Sequence, residues 1–97
     1  MAYVVTARWV AKEGKEDRVF EAIRNMIAPS RAEAGCLYYQ PNRDPEDSRV
    51  FFFYELYTDE EAYKAHGESE HFQRHAVGEA IPLLDSRERW FYRTIDV

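Results

Sequence analysis

Two stretches of the chain carry large apolar side chains on both faces of a predicted β-strand, which constrains the fold more than any other feature. The first is Tyr3–Val10 (Y-V-V-T-A-R-W-V), and the second is Arg49–Tyr57 (R-V-F-F-F-Y-E-L-Y). β-Branched and aromatic residues favour strands, and a strand that lacks a polar face is usually covered on both sides. We therefore expect protein on both faces of the sheet that contains them.

The predicted elements follow the order strand, helix, strand, strand, interrupted helix, strand. The predicted strands are Tyr3–Val10, Cys36–Gln40, Arg49–Tyr57 and Arg87–Ile95. The first predicted helix opens at Lys12–Lys15 and either kinks or ends near Pro29, or continues through a last turn at Ser30–Ala34 to Gly35. A short helix follows over Glu60–His66, which Asp59 caps and Gly67 ends, and another begins at Ser69. This order predicts an α+β fold, a ferredoxin-like β-α-β-β-α-β sandwich with an antiparallel sheet. We expect one domain over residues 1–97.

The helices of such a fold cover one face of the sheet and leave the other open. The chain contains 7 Tyr, 6 Phe and 2 Trp, which is more aromatic surface than one small core hides. A second copy of the chain is the simplest cover for the open face. We therefore predict a homodimer in which two sheets form a dimeric α+β barrel.

Charge and cysteine content argue against several classes of protein. The chain has 18 acidic and 13 basic residues and a net charge of -5, so it repels phosphate backbones and anionic lipid. It has no apolar run of the roughly 20 residues that cross a bilayer, and no basic leader precedes the first strand. A single cysteine, Cys36, rules out an intrachain disulfide and fits a reducing compartment. We expect a cytoplasmic protein that binds neither nucleic acid nor membrane.

Glu55 is the most informative anomaly of the predicted strands. Strict alternation places it on one face with Phe53 and Tyr57, where a carboxylate is costly unless it is paired or hydrogen-bonded. It could form an ion pair with Arg8 or Arg93 on a neighbouring strand. Alternatively, it could be a polar group inside a ligand pocket, because perturbed groups cluster in sites. The sequence leaves these two interpretations open.

Three histidines lie close together, at His66, His71 and His75. The spacing of His71 and His75 places them on one helix face, as in a two-histidine metal site. The intervening Arg74 and the lack of an evident third ligand favour structural histidines instead. We therefore predict no metal ion.

A family resemblance runs along nearly the whole chain. The segment Ser30–Tyr39 (S-R-A-E-A-G-C-L-Y-Y) resembles the S-R-x-E-x-G-C-L-x-Y motif of the antibiotic biosynthesis monooxygenase family, which includes quinol monooxygenases. The segments Phe53–Asp59, Ala62–His66 and Ser69–Phe72 resemble its E-x-W-x-D-x-x-A-x-x-x-H-x-x-S-x-H-F motif. Both motifs are specific for the family but not for one activity within it.

The resemblance implies a dimeric barrel that oxygenates a quinol or hydroxylated aromatic with dioxygen, without a metal or flavin cofactor. It implies His66 as a base and Tyr63 as a hydroxyl donor. It also implies Tyr57 as a catalytic position, because Tyr57 stands where relatives that act on anthrones have a tryptophan, six residues before the tyrosine that Tyr63 matches. Flat aromatic substrates also need aromatic walls and a few polar groups that orient them. The predicted substrate-binding residues are Glu55, Tyr38, Arg8, Trp90 and Phe72.

Two other functions remain open at this point. The chain could be a non-catalytic small-molecule-binding module that keeps the dimeric barrel, because the motif residues also serve helix ends and caps. It could also be an isomerase-like enzyme of the same fold, with His66 or Glu55 as its base. A haem enzyme of this fold is disfavoured, because Ala7 and His66 stand where such enzymes have asparagine and tryptophan.

Overall fold

The computed structural model describes residues 1–95 of the chain. Within these residues, four strands and three helices follow one another in the predicted order, and a 3-10 turn at Ile81–Leu83 leads into the last of the strands. The elements are β1 (Tyr3–Ala11), α1 (Glu16–Arg31), β2 (Cys36–Arg43), β3 (Val50–Tyr57), α2 (Glu60–Glu68), α3 (Phe72–Ala80, wound as a π-helix) and β4 (Leu84–Arg93).

The four strands form one antiparallel sheet in the order β2-β3-β1-β4. The predicted ferredoxin-like α+β fold is therefore confirmed. Strand β1 lies inside the sheet, with Ala7 opposite Phe53 of β3 and opposite Arg89 of β4. Because successive side chains alternate across a strand, this register fixes which residues face the helices and which face away.

The helices pack on one face of the sheet, which we call the inner face. The apolar stripe of α1 is buried there, at Val19, Ala22, Ile23 and Met26. It meets a core that includes Trp9, Phe51 and Phe53 from the strands and Ala76 and Ala80 from α3. Small residues on α3 let this helix approach α1 closely, which positions both helices above the same strands.

Several element boundaries differ from the sequence prediction for identifiable reasons. Helix α2 continues through Gly67 to Glu68, because no left-handed turn forms there, and it ends at Ser69, whose ψ of 153° leaves the helical region. Ser69 Oγ donates to the carbonyl of His66 at 2.6 Å and accepts from the N–H of Phe72 at 3.2 Å. Ser69 therefore ends α2 and, as predicted, begins the next helical segment, which it caps through the N–H of Phe72.

Two prolines are also accommodated within regular elements. Pro29 does not end α1, which continues to Arg31. Pro41 lies inside β2, which runs to Arg43 and not to Gln40 as predicted. Within the described residues β2 pairs with β3 alone, and an edge strand tolerates a residue without an N–H. Strand β4 spans Leu84–Arg93, three residues earlier at its start than predicted.

The turn between α1 and β2 packs against the start of α2. Asp59 caps α2 as predicted, with its carboxylate accepting from the N–H of Ala62 at 2.9 Å. A Cβ added at Gly35 would lie 2.4 Å from the Cβ of Ala62, so no larger residue fits there. The N–H of Thr58 donates to the Gly35 carbonyl at 2.9 Å. This contact holds α2 against the segment that carries Glu33.

The other face of the sheet, the outer face, carries exposed aromatic residues. Phe52, Tyr54, Trp90 and Tyr92 expose between 37% and 56% of their surface. No described residue of the same chain covers them, as the sequence predicts. No helix among residues 1–95 is long and apolar enough to cross a membrane.

Candidate active site

A small cavity lies between the inner face and the helices. Ala7 forms part of its floor, because its small side chain stands between the larger Phe53 and Arg89 on the neighbouring strands. The space open to the centre of a water molecule is about 20 Å³, which is room for about one water. The cavity is lined by Val5, Ala7, Trp9, Met26, Tyr39, Phe53, Glu55, Tyr63, His66, Phe72, Arg87 and Arg89.

His66 of α2 is the most buried polar side chain of the cavity wall, with 2% of its surface exposed. Its Nδ1 lies 2.8 Å from Oε2 of Glu33, and its Nε2 lies 3.9 Å from Oε1 of Glu55. A carboxylate beside Nδ1 holds the tautomer in which Nδ1 carries the proton. In that tautomer the lone pair of Nε2 is free, and His66 is arranged as a general base.

Glu33, in the turn between α1 and β2, accepts from two histidines through one oxygen. Its Oε2 also lies 2.5 Å from Nε2 of His71, which precedes α3. Glu33 therefore ties the turn to both following helices and fixes the orientation of the His66 ring.

Glu55 of β3 projects into the cavity wall with 6% of its surface exposed. The hydroxyl of Tyr57 donates to its Oε1 at 2.6 Å. Burial raises the pKa of Glu55, although nearby His66 and the hydrogen bond from Tyr57 oppose this shift. Burial, followed by the charge of Glu55, also raises the pKa of Tyr57. Tyr57 therefore keeps its proton and positions Glu55 from behind the cavity wall.

Neither arginine predicted as the partner of Glu55 contacts it within the chain. Arg8 lies on the outer face, 3.9 Å from Glu88, and Arg93 lies 3.9 Å from Glu60. The prediction of an ion pair with either residue is wrong within one chain, because the pleat turns Arg8 to the face opposite Glu55 and because Arg93 extends beside α2. Glu55 instead belongs to the cavity, which was the second interpretation of its sequence position.

Tyr63 and Phe72 stand at the rim of the cavity, on either side of His66. The ring of Tyr63 stacks at 6.4 Å from that of His66, and the ring of Phe72 meets it edge-on at 5.2 Å. The Nη1 of Arg89 donates to the hydroxyl of Tyr63 at 3.0 Å on the solvent side. This hydrogen bond joins β4 to α2 across the mouth of the cavity.

Trp9 and Arg87 are neighbours at the other end of the cavity, directly opposite each other on β1 and β4. Burial, followed by the charge of Arg89, lowers the pKa of Arg87. Trp9 Nε1 and Arg87 Nε are both buried, and neither finds a hydrogen-bond partner in the part of the chain that the structure describes.

Three predicted substrate-binding residues lie elsewhere. Arg8, Tyr38 and Trp90 are all on the outer face, where Tyr38 packs edge-on against Tyr54 at 5.9 Å. The expectation that they share a pocket with His66 is wrong, because they occupy strand positions of the opposite parity. The structure does bring together His66, Tyr63, Glu55 and Phe72, with Tyr57 behind them.

A metal ion would find a different set of ligands from the one that sequence spacing suggests. His71 and His75 do not converge, because Nδ1 of His75 lies 2.9 Å from Glu79 on the next turn of α3. Glu33, His66 and His71 instead offer three ligand atoms within 4.8 Å of one another. Two histidines and one carboxylate suit zinc or iron. Here these atoms also satisfy one another through the two hydrogen bonds to Glu33.

The sequence alone does not identify Glu33, Arg87 and Arg89 as residues of the candidate site. In the sequence Glu33 belongs to a segment that ends a helix, and nothing local points to His66 and His71, which are 33 and 38 residues further along the chain. Arg87 and Arg89 read as strand residues in a mixed-charge run. The one signal in the sequence is alternation. Arg87 and Arg89 occupy every second position before Phe91, so all three lie on the inner face of the strand.

Comparison with known proteins adds the family. The model of the antibiotic biosynthesis monooxygenase family matches residues 2–77 of this chain. The chain therefore belongs to the antibiotic biosynthesis monooxygenase family, as its motifs indicate.

Solved structures share this fold over nearly the whole chain. PA3566 from Pseudomonas aeruginosa is 32% identical, with 97% of this chain and 94% of that chain covered and a TM-score of 0.89. SO0527 from Shewanella oneidensis is 29% identical, with 94% and 88% covered and a TM-score of 0.83. A crystal structure of an antibiotic biosynthesis monooxygenase is 25% identical, with 98% and 99% covered and a TM-score of 0.88.

Proposed function

We propose that this chain is a monooxygenase that oxidises a quinol or hydroxylated aromatic with dioxygen in the cavity between the sheet and the helices. One observation carries the proposal: a buried imidazole, His66, is held by Glu33 through Nδ1 while its Nε2 faces an aromatic-walled cavity. That arrangement is a general base in a water-poor site. No metal or flavin takes part in the proposed reaction.

The proposed reaction begins with proton transfer from a substrate hydroxyl to Nε2 of His66. The resulting phenolate is a stronger reductant than the phenol and gives an electron to dioxygen. The two radicals combine to form a ring peroxide anion, which takes the proton back from His66 to become a hydroperoxide and then loses water. One oxygen atom stays on the ring as a hydroxyl or carbonyl oxygen and the other leaves in water, so the substrate supplies all four electrons that reduce dioxygen.

Tyr63 and Glu55 have supporting roles in this proposal. The hydroxyl of Tyr63 lies at the mouth, where it can donate to a substrate oxygen once its hydrogen bond with Arg89 opens. Glu55, whose pKa burial raises, can give its proton to the departing hydroxide and regain one from His66, whose Nε2 lies 3.9 Å away and takes up the proton that leaves the ring carbon. Because the free space holds about one water, the mouth must open before an aromatic ring enters.

The proposal includes a homodimer and a cytoplasmic location. The exposed aromatic residues of the outer face support the homodimer, since large apolar patches on small proteins mark interaction surfaces. The single cysteine supports a reducing compartment. We treat residues 1–97 as one functional domain.

Product analysis under ¹⁸O₂ tests the reaction. Menadiol is incubated with and without the protein, and we expect a hydroxylated naphthoquinone that carries one labelled oxygen in the protein sample. Menadione without added oxygen, formed at the same rate in both samples, would refute the monooxygenase. A product with the mass of its substrate would indicate the isomerase-like alternative, and a rise in Tm without turnover would indicate a binding module.

A further inference from the structure

Trp9 and Arg87 line the cavity but take no part in the proton transfer described above. Trp9 exposes 3% of its surface, and its Nε1–H has no partner among residues 1–95. Arg87 Nε is also buried without a partner in this part of the chain. A buried donor that forms no hydrogen bond destabilises the folded protein. Both residues line the same cavity, so an acceptor bound there can satisfy these donors.

We propose that Trp9 and Arg87 form an anion-binding pair for the substrate oxygen that lies at the end of the ring opposite the hydroxyl deprotonated by His66. The pair defines the substrate class as an aromatic with oxygen atoms at both ends of its ring system. This inference rests on the proposed function for the identity of the ligand, but not for the presence of the pair.

The charges around the cavity support an anion at this end. Arg87 forms no ion pair within residues 1–95, and Glu55 is the acidic residue whose charge acts on it. Along the strands, Glu55 is opposite Val5 of β1 and Arg87 is opposite Trp9, four residues or about 13 Å further along. The two charges still act on each other, since burial raises the pKa of Glu55 and lowers that of Arg87 and each charge opposes the shift of the other. A ring bound between them can therefore meet an acceptor on one side and the two donors on the other.

An alternative explanation is that Arg87 serves packing alone. Its guanidinium carbon lies 6.0 Å from the centre of the Trp9 ring, at the limit of a cation–π contact. That contact uses the face of the indole and leaves its N–H free. The two explanations differ over Trp9→Phe, which keeps an aromatic face and removes the donor.

The test measures binding of 4-nitrophenol to the full-length chain by absorbance across a pH series, which separates phenolate from phenol binding. We expect the wild type to bind phenolate more tightly, so that the probe has a lower pKa when bound. Arg87→Met and Trp9→Phe should each lower the preference for phenolate by roughly tenfold or more. Arg93→Met, on the same strand but exposed beside Glu60, is the matched control and should bind as the wild type does.

Arg87→Lys keeps the charge without the guanidinium Nε and should retain part of the preference for phenolate, which also covers the case in which Arg87→Met fails to fold. Equal binding of phenol and phenolate by the wild type overturns the proposal. So does a Trp9→Phe variant that folds and keeps the full preference. The assay needs no turnover, so a pair that binds phenolate in a protein that releases no oxygenated product would refute the proposed function alone.

Discussion

The two faces of the sheet are built from similar apolar residues but differ in what lies among them. On the inner face, Glu55 is buried and Arg87 is half-buried. Both lie among the aromatic residues that line the cavity. The outer face keeps its charged pair, Arg8 and Glu88, open to solvent, with about half of each side chain exposed. Aromatic content alone therefore does not distinguish the face proposed to hold the reaction from the face proposed to bind a second copy.

The difference teaches that burial of polar groups, and not the number of rings, marks the site. A polar group enclosed by protein keeps its function only if its partners are fixed. On the inner face Glu33 fixes His66, and Tyr57 fixes Glu55. No comparable side-chain network spans the aromatic residues of the outer face in the described residues. The following changes test this contrast, starting with the largest expected effect.

Replacement of the inner-face base gives the largest effect. His66→Gln keeps a polar side chain of similar size but removes the basic nitrogen, so kcat for quinol oxidation should fall about 10²- to 10⁴-fold. His75→Gln is the matched control, because His75 pairs with Glu79 away from the cavity. Steady-state oxygen consumption measures both variants. An equal loss of activity in the two variants would show that the inner-face cluster is not the site.

A charge on the outer face should break the predicted dimer. Tyr54→Glu places a carboxylate in the centre of the exposed aromatic residues, and loss of a central contact typically costs an interface about 2–4 kcal/mol. Phe20→Glu, on the exposed side of α1, is the control and should leave assembly unchanged. Light scattering after size exclusion gives the mass. A wild type that elutes as an 11.5 kDa monomer at micromolar concentration contradicts the prediction.

The close contact behind the site should give a smaller effect, on stability. Gly35→Ala forces a Cβ to 2.4 Å from Ala62, and overpacking of this kind costs about 1–3 kcal/mol. Gly67→Ala meets no atom within 4 Å inside helix α2 and should be neutral or stabilising by up to about 1 kcal/mol. Urea unfolding at neutral pH measures both. Equal midpoints for the two variants would show that this contact does not constrain the fold.

Glu55→Gln should give the smallest effect, as a change in the pH dependence of stability. Because the folded protein raises the pKa of Glu55, the unfolded chain releases this proton first, and stability falls as pH rises above about 4.3. Glutamine cannot titrate, so it removes this fall, which amounts to at most about 1.4 kcal/mol per pH unit. Thermal unfolding from pH 4 to pH 8 should show the variant gaining relative to the wild type. Parallel curves would contradict the raised pKa.

Much of the fold follows from local sequence patterns. Alternation and apolar stripes predict all four strands and the helices, and the Asp59 cap lies where the sequence places it. Boundaries depend on tertiary contacts and were harder to predict. Gly67 has the residue type that ends helices, yet α2 continues past it, since Ser69 supplies the hydrogen bonds that end it. The homodimer stays a prediction.

The site is only partly predictable, because it joins residues that are distant in sequence. His66 and Tyr63 share one helix, so their association follows from spacing. The partners Glu33 and Arg87 come from a turn and a strand 33 and 21 residues away, and no local pattern connects them with His66. Glu55 could be identified as anomalous from the sequence, but only the register of β3 with β1 shows which charges surround it.

The hydrogen bond from Arg89 to Tyr63 has a thermodynamic consequence for any molecule that binds behind it. If a ring enters the cavity only while this hydrogen bond is broken, the measured affinity equals the intrinsic affinity multiplied by the fraction of molecules in that open state. A substrate that is itself a good partner for Arg89 or Tyr63 compensates for the broken bond, whereas a ring without such groups does not. Selectivity would then depend first on how well a substrate stabilises the open state, and only afterwards on how well the ring fits the cavity.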